Sequence, residues 1–162
     1  MAYPFGTYNE LVKKVAVSCG VQYSRTTEST YQFSLPADFM EWNPTCHHTE
    51  GCLFDLIEKF LKQEEETCNY PALFYMWGHS YEFDAYGQWE LVERFMKLVS
   101  FKTDIWYADN GEIFRYLEAV RGLIYSAAGD YIFNPSFLDV WMLIDHKVYC
   151  IKSGQTVIIE PV

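Results

Sequence analysis

Basic residues are scarce in this sequence: 12 Lys and Arg stand against 22 Asp and Glu, a formal charge of −10 over 162 residues. Phosphate backbones and anionic lipid reward clustered cations, so nucleic acid and membrane surfaces drop out as expected partners. No apolar run approaches the roughly 20 residues that cross a bilayer. The first ten residues, MAYPFGTYNE, lack the charged-then-apolar order of an export signal. The cysteines, Cys19, Cys46, Cys52, Cys68 and Cys150, are odd in number, scattered, and nowhere form CxxC. Such spacing argues against a disulfide framework and a zinc ribbon and fits reduced thiols in a cytoplasm. GxSxG, P-loop, GxGxxG and HExxH patterns are missing too, which removes the commonest hydrolase, nucleotide and metalloprotease signatures.

Apolar surface, by contrast, is plentiful. Hydrophobic residues make up 50% of the chain and aromatics 19%, with 13 Tyr, 12 Phe and 5 Trp, which excludes a disordered chain. The length suits about one domain of ordinary size.

Thr7 and Glu10 have capping-box spacing, and Leu11, Val12, Val15, Ala16 and Cys19 then predict a helix over about 8–19 that stops at Gly20. Val21–Tyr23 reads as a short strand, and the polar stretch after it, to about residue 50, as a long loop of the kind that carries function. Leu53, Leu56, Ile57, Phe60 and Leu61 predict a second helix. The unbroken apolar run Ala72–Trp77 predicts a strand buried on both faces. Trp89–Val99 is a third helix, DIWYA a further short strand, and the Asp109/Glu112 capping box opens a helix reaching Ile124. Alternation of this kind implies an α/β fold with a parallel sheet over residues 1–129. From Asp130 the runs are short and β-like, with turn candidates at Asp145-His146 and Ser153-Gly154, so 130–162 reads as an antiparallel extension packed on the first part.

His79 directly follows a buried strand and a glycine, where α/β proteins place functional groups. Imidazoles titrate near neutral pH, which suits a general acid or base; the plainer role is a hydrogen bond closing the strand end. Glu82 and Asp84 could orient that ring, or be ordinary loop charge. Cys46, His47 and His48 form a zinc-type grouping, although adjacent residues rarely both reach one ion and no third ligand stands nearby in sequence. Trp42 and Trp77 could stack on a sugar, or simply pack in a core.

Three segments, AYPFGTY, EWNPTCHH and LFYMWGHSYEFD, together resemble the later motifs of the NodB-type polysaccharide deacetylases, the family-four carbohydrate esterases, over about residues 1–127. The resemblance implies a partial (β/α) barrel and metal-dependent hydrolysis of N-acetyl groups on sugars. Tyr3, Pro4, Phe5 and Gly6 match the Arg-x-Pro-Tyr/Phe-Gly segment, with Ala2 where Arg is usual. By the same likeness Trp42 is the aromatic wall of the substrate pocket, the Phe5 backbone N–H stabilises the oxyanion, and His79 is the general acid; Tyr3, in the matched segment, and Trp77 are expected to bind substrate beside them. The family's TFDDG and HxxxH motifs, which supply the catalytic base and an Asp-His-His metal site, are absent. The implied divalent metal, zinc by family habit, therefore lacks its usual ligands. The expectation is a carboxyl-terminal half, inactive alone, that acts on acetylated sugar or polysaccharide and pairs with itself or with a complementing amino-terminal half. Two other readings stand beside it: a non-catalytic carbohydrate-binding or protein-interaction module, and a self-sufficient enzyme with a metal site rebuilt from His47, His48 and His79.

Overall fold

The structure, a computed structural model, describes residues 1–66 and 71–159. Cys68 and the end of the TVIIE run lie outside them. The chain divides into two compact units, 1–105 and 106–162. The change of texture in the sequence drew the line after residue 129. The structure instead groups the last helix with the antiparallel strands, because that helix packs on them.

The first unit holds short parallel pairings between segments that follow one another in the chain. Ala2 bridges Arg25, Arg25 bridges Trp42, and strand β1 (Cys46–His47) pairs with β2 (Met76–Trp77). Tyr3 N–H donates to Arg25 O at 3.0 Å and Thr26 N–H to Trp42 O at 3.1 Å. Helix α1 (Glu10–Ser18) follows the first segment, and Asn9 caps it by accepting from the Val12 N–H at 2.9 Å. The expected Thr7 cap is displaced because Thr7 closes a tight turn at Pro4–Gly6, its N–H donating to Pro4 O. Helix α2 (Leu53–Glu66) connects β1 to β2; α3 (Ser80–Ala85) and α4 (Trp89–Val99) come after.

The core of this unit follows from helical periodicity. Leu53, Leu56 and Ile57 recur at i, i+3 and i+4, so one face of α2 buries them against Cys46. Leu91, Phe95, Leu98 and Val99 from α4 and Phe33 and Phe74 from the connecting segments cover the same cluster. Each fully buried side chain of this size contributes about 1.5–3 kcal/mol. The Ala72–Trp77 run is a named strand only at Met76–Trp77, opposite the two residues of β1. Neither Val21–Tyr23 nor DIWYA forms a named strand among the described residues. A β pattern becomes a strand only where a neighbouring chain can complete its hydrogen bonds.

In the second unit Asp109 caps α5 (Asn110–Arg121), exchanging hydrogen bonds of 2.8 Å with Glu112 as the capping box predicts. Gly122 ends the helix, so Ile124 belongs to β3 (Ile124–Tyr125) rather than to the helix. Strands β3, β4 (Tyr131–Phe133) and β7 (Thr156–Ile158) form one antiparallel sheet; β5 (Val140–Ile144) and β6 (Lys147–Ile151) form a hairpin. Asp145 and His146, both at positive φ (49° and 62°), make its two-residue turn. Ala119, Leu123, Ile132, Val140, Ile151 and Ile159 are the core. Among the described residues no helix is long and apolar enough to cross a membrane.

Candidate functional site

Parallel segments present their carboxyl ends on one side: His47 ends β1, and Phe5, Thr27, His48 and His79 follow the ends of their segments. Packing between these turns is close. A Cβ on Gly6, whose φ is +69°, would stand 2.1 Å from Thr27 Oγ1. Phe5 sits at positive φ (54°) with its ring fully exposed. Tyr3 and Trp42 present no face to solvent: the Tyr3 hydroxyl donates to Met40 O at 2.9 Å, and Trp42, 1% exposed, lies edge-on among Tyr23, Phe39 and Tyr75.

The β1–β2 register places His47 directly opposite Trp77. This pairing brings together histidines some thirty positions apart in the chain. The His47 ring lies 4.4 Å from both His48 and Trp77, and His79, two residues beyond Trp77, stands 5.9 Å from that indole. Glu82 sits at the centre. Its Oε1 is 3.4 Å from His79 Nδ1, and its Oε2 is 3.5 Å from His47 Nε2 and 3.7 Å from His48 Nδ1. The local reason is that His79 is the residue before α3: its backbone N–H donates to Glu82 Oε2 at 2.9 Å, which turns the carboxylate back toward the strand end. Asp84, the other candidate orienting group, instead accepts from Trp89 Nε1 at 2.7 Å.

Burial grades the three rings. The His79 side chain is 50% exposed, His47 is mostly covered, and His48 is 1% exposed. His48 Nε2 meets Gln88 Oε1 at 3.0 Å, whereas its Nδ1 is buried without a hydrogen-bond partner. Desolvation and the neighbouring His48 depress the His47 pKa, outweighing Glu82. The hydrogen bond from the His79 backbone, helped by that ring and by His47, holds the Glu82 carboxyl below its ordinary value. The arrangement therefore sets one carboxylate among three imidazole rings.

Sequence reasoning pointed to His47, His48, His79 and Trp77, and these do meet. It placed the candidate metal ligands at His47 and His48; the group whose ligand atoms lie within 4.8 Å of one another is His47, His79 and Glu82. It did not single out Arg25, Gly78 or Gln88. The Arg25 guanidinium lies 4.0 Å over the Trp77 ring and donates to Thr26 O at 2.7 Å. One face of Trp77 is therefore occupied. Gly78 was legible only as a glycine beside a strand end, and nothing local marks Arg25 or Gln88.

No family model matches the chain, and neither the curated proteins nor the solved structures give a match.

Proposed function

We propose that this chain is part of a polysaccharide deacetylase-type hydrolase, a partial (β/α) barrel whose parent reaction removes N-acetyl groups from sugars. The observation that supports the reading best is His79, half exposed at the carboxyl end of β2 with Glu82 beside Nδ1. The ring's other nitrogen, Nε2, delivers a proton to the leaving amine while the Phe5 backbone N–H faces the developing oxyanion. Parallel segments paired in chain order fit the barrel reading. A divalent metal, when bound, activates the attacking water. TFDDG and HxxxH are missing from the sequence, so in this reading the catalytic base and that ion come from a complementing chain that carries both motifs. Cys19, Cys46, Cys52 and Cys150 are free thiols, in keeping with a reducing cytoplasm.

The experiment is acetate release from an N-acetylated chito-oligosaccharide, measured for the chain alone and mixed with a separately produced deacetylase amino-terminal half bearing both absent motifs. The mixture is active, and His79→Ala lowers its rate by about 10²–10⁴-fold. Undiminished activity of H79A removes the reading. A second reading, a carbohydrate-binding module, is favoured by aromatic rings exposed on the second unit, Tyr125, Tyr131 and Trp141. In that case Trp141→Ala abolishes sugar binding and no mixture releases acetate.

A further inference from the structure

We propose that His47, His79 and Glu82 form a zinc site within this chain. The donor set is two imidazole nitrogens and a carboxylate, the kind that zinc takes when it keeps one position open. Zinc bonds of about 2.0–2.1 Å in tetrahedral geometry set neighbouring donors about 3.4 Å apart. His47 Nε2 is 3.5 Å from Glu82 Oε2, and His79 Nδ1 is 3.4 Å from Glu82 Oε1. All three ligand atoms lie within 4.8 Å of one another. A small turn of the exposed His79 ring closes the remaining distance. On the far side of its ring His47 Nδ1 lies 2.7 Å from Thr49 Oγ1 and accepts from the Thr49 N–H at 3.3 Å, contacts that fix the ring's orientation.

His48 gives an independent indication. Its Nε2 meets Gln88 Oε1 at 3.0 Å, while its buried Nδ1 has no hydrogen-bond partner and stands 3.7 Å from Glu82 Oε2. A buried ring nitrogen left without a hydrogen bond beside a carboxylate marks a polar place that a neighbouring cation would suit.

The ion also acts on the same site. An ion held by His79 Nδ1 would occupy the ring that the proposed function uses as its acid, so zinc would compete with that role. Zinc binding itself does not depend on the hydrolase reading.

The test uses the full chain, stripped with a chelator and titrated with zinc chloride against a chromophoric competitor, with cobalt(II) as a spectroscopic substitute. The expected result is one ion per chain with the visible absorption of a four-coordinate nitrogen and oxygen site. Affinity falls about tenfold or more in His79→Ala and in Glu82→Gln, and is unchanged in His146→Ala, a variant of the exposed hairpin turn. His79 is exposed enough that its truncation leaves the fold intact, which far-ultraviolet circular dichroism verifies. Absence of stoichiometric binding, or binding undiminished in both variants, overturns the site. Zinc binding keeps this site whatever the complementation assay gives; no acetate release from a mixture made with the zinc-stripped chain and a metal-loaded amino-terminal half removes the hydrolase reading, and acetate release without zinc binding removes this site alone.

Discussion

Gly78→Ala tests the packing that holds the site together. A Cβ at residue 78 would lie 2.0 Å from His48 Nδ1, 2.6 Å from Cε1 and 3.1 Å from Cγ. Ordinary carbon contacts are about 3.5–4.0 Å, so something must move by more than 1 Å. His48 has little freedom to move. Its backbone N–H donates to Trp77 O at 2.9 Å, its Nε2 is bonded to Gln88, and its ring is wedged between His47 at 4.4 Å and Phe83 at 4.9 Å. Overpacking of this kind costs about 1–3 kcal/mol, and loss of the Gln88 hydrogen bond adds about 1 kcal/mol. The sum, about 3 kcal/mol, corresponds to a fall in Tm of roughly 10 °C for a chain of this size. Thermal and urea unfolding followed by circular dichroism measure it. Because the fault is a clash with one ring, His48→Ala in the G78A background recovers more than about 1 kcal/mol of what additivity predicts. A G78A protein within about 0.5 kcal/mol of wild type, or a double variant with purely additive losses, refutes the reasoning.

Other consequences are as direct. Asn134 is fully buried, donates to Leu138 O at 2.7 Å and Ile151 O at 2.8 Å, and accepts from Ser136; Asn134→Ala removes both donated bonds, Leu138 O keeping Ser136 Oγ at 3.1 Å, and costs about 1–3 kcal/mol in urea unfolding. Asp109→Ala removes the cap of α5 and costs about 1 kcal/mol, read the same way. Burial, reinforced by Cys52 and Glu50, pushes the Cys46 thiol up to about 12. A raised value in the folded state means that the unfolded chain sheds this proton first, so stability is intact below the ordinary thiol range and falls as pH rises toward 12. Denaturant midpoints measured across alkaline pH fall less steeply in Cys46→Ala, and a thiol reagent labels exposed Cys19 in the native protein but reaches Cys46 only on unfolding.

What could be read along the chain was what depends on neighbours in sequence. The apolar period of Trp89–Val99 is α4, the Asp109–Glu112 box is the observed cap, and Asp145-His146 is the observed turn. Misreadings arose where distant groups decide. Thr7 lost the cap of α1 to Asn9 because the Pro4–Gly6 turn engages it first. Ala72–Trp77 pairs as a strand only as far as β1 extends. The site divides in the same way. Glu82 is visible from His79 as a neighbour three residues on. The meeting of His47 with His79 depends on the β1–β2 register, which sets Cys46 opposite Met76, and no local pattern encodes that.

In the proposed function, substrate meets the protein at the turn after β2, with His47 beside it. Titration of N-acetylated chito-oligosaccharide into isotope-labelled chain, with the imidazole and indole resonances assigned, tests it most directly. The account predicts saturable shifts at His79, His47 and the Trp77 indole that disappear in Trp77→Ala. Shifts confined to Trp141 and its neighbours, or none at any ring, contradict it.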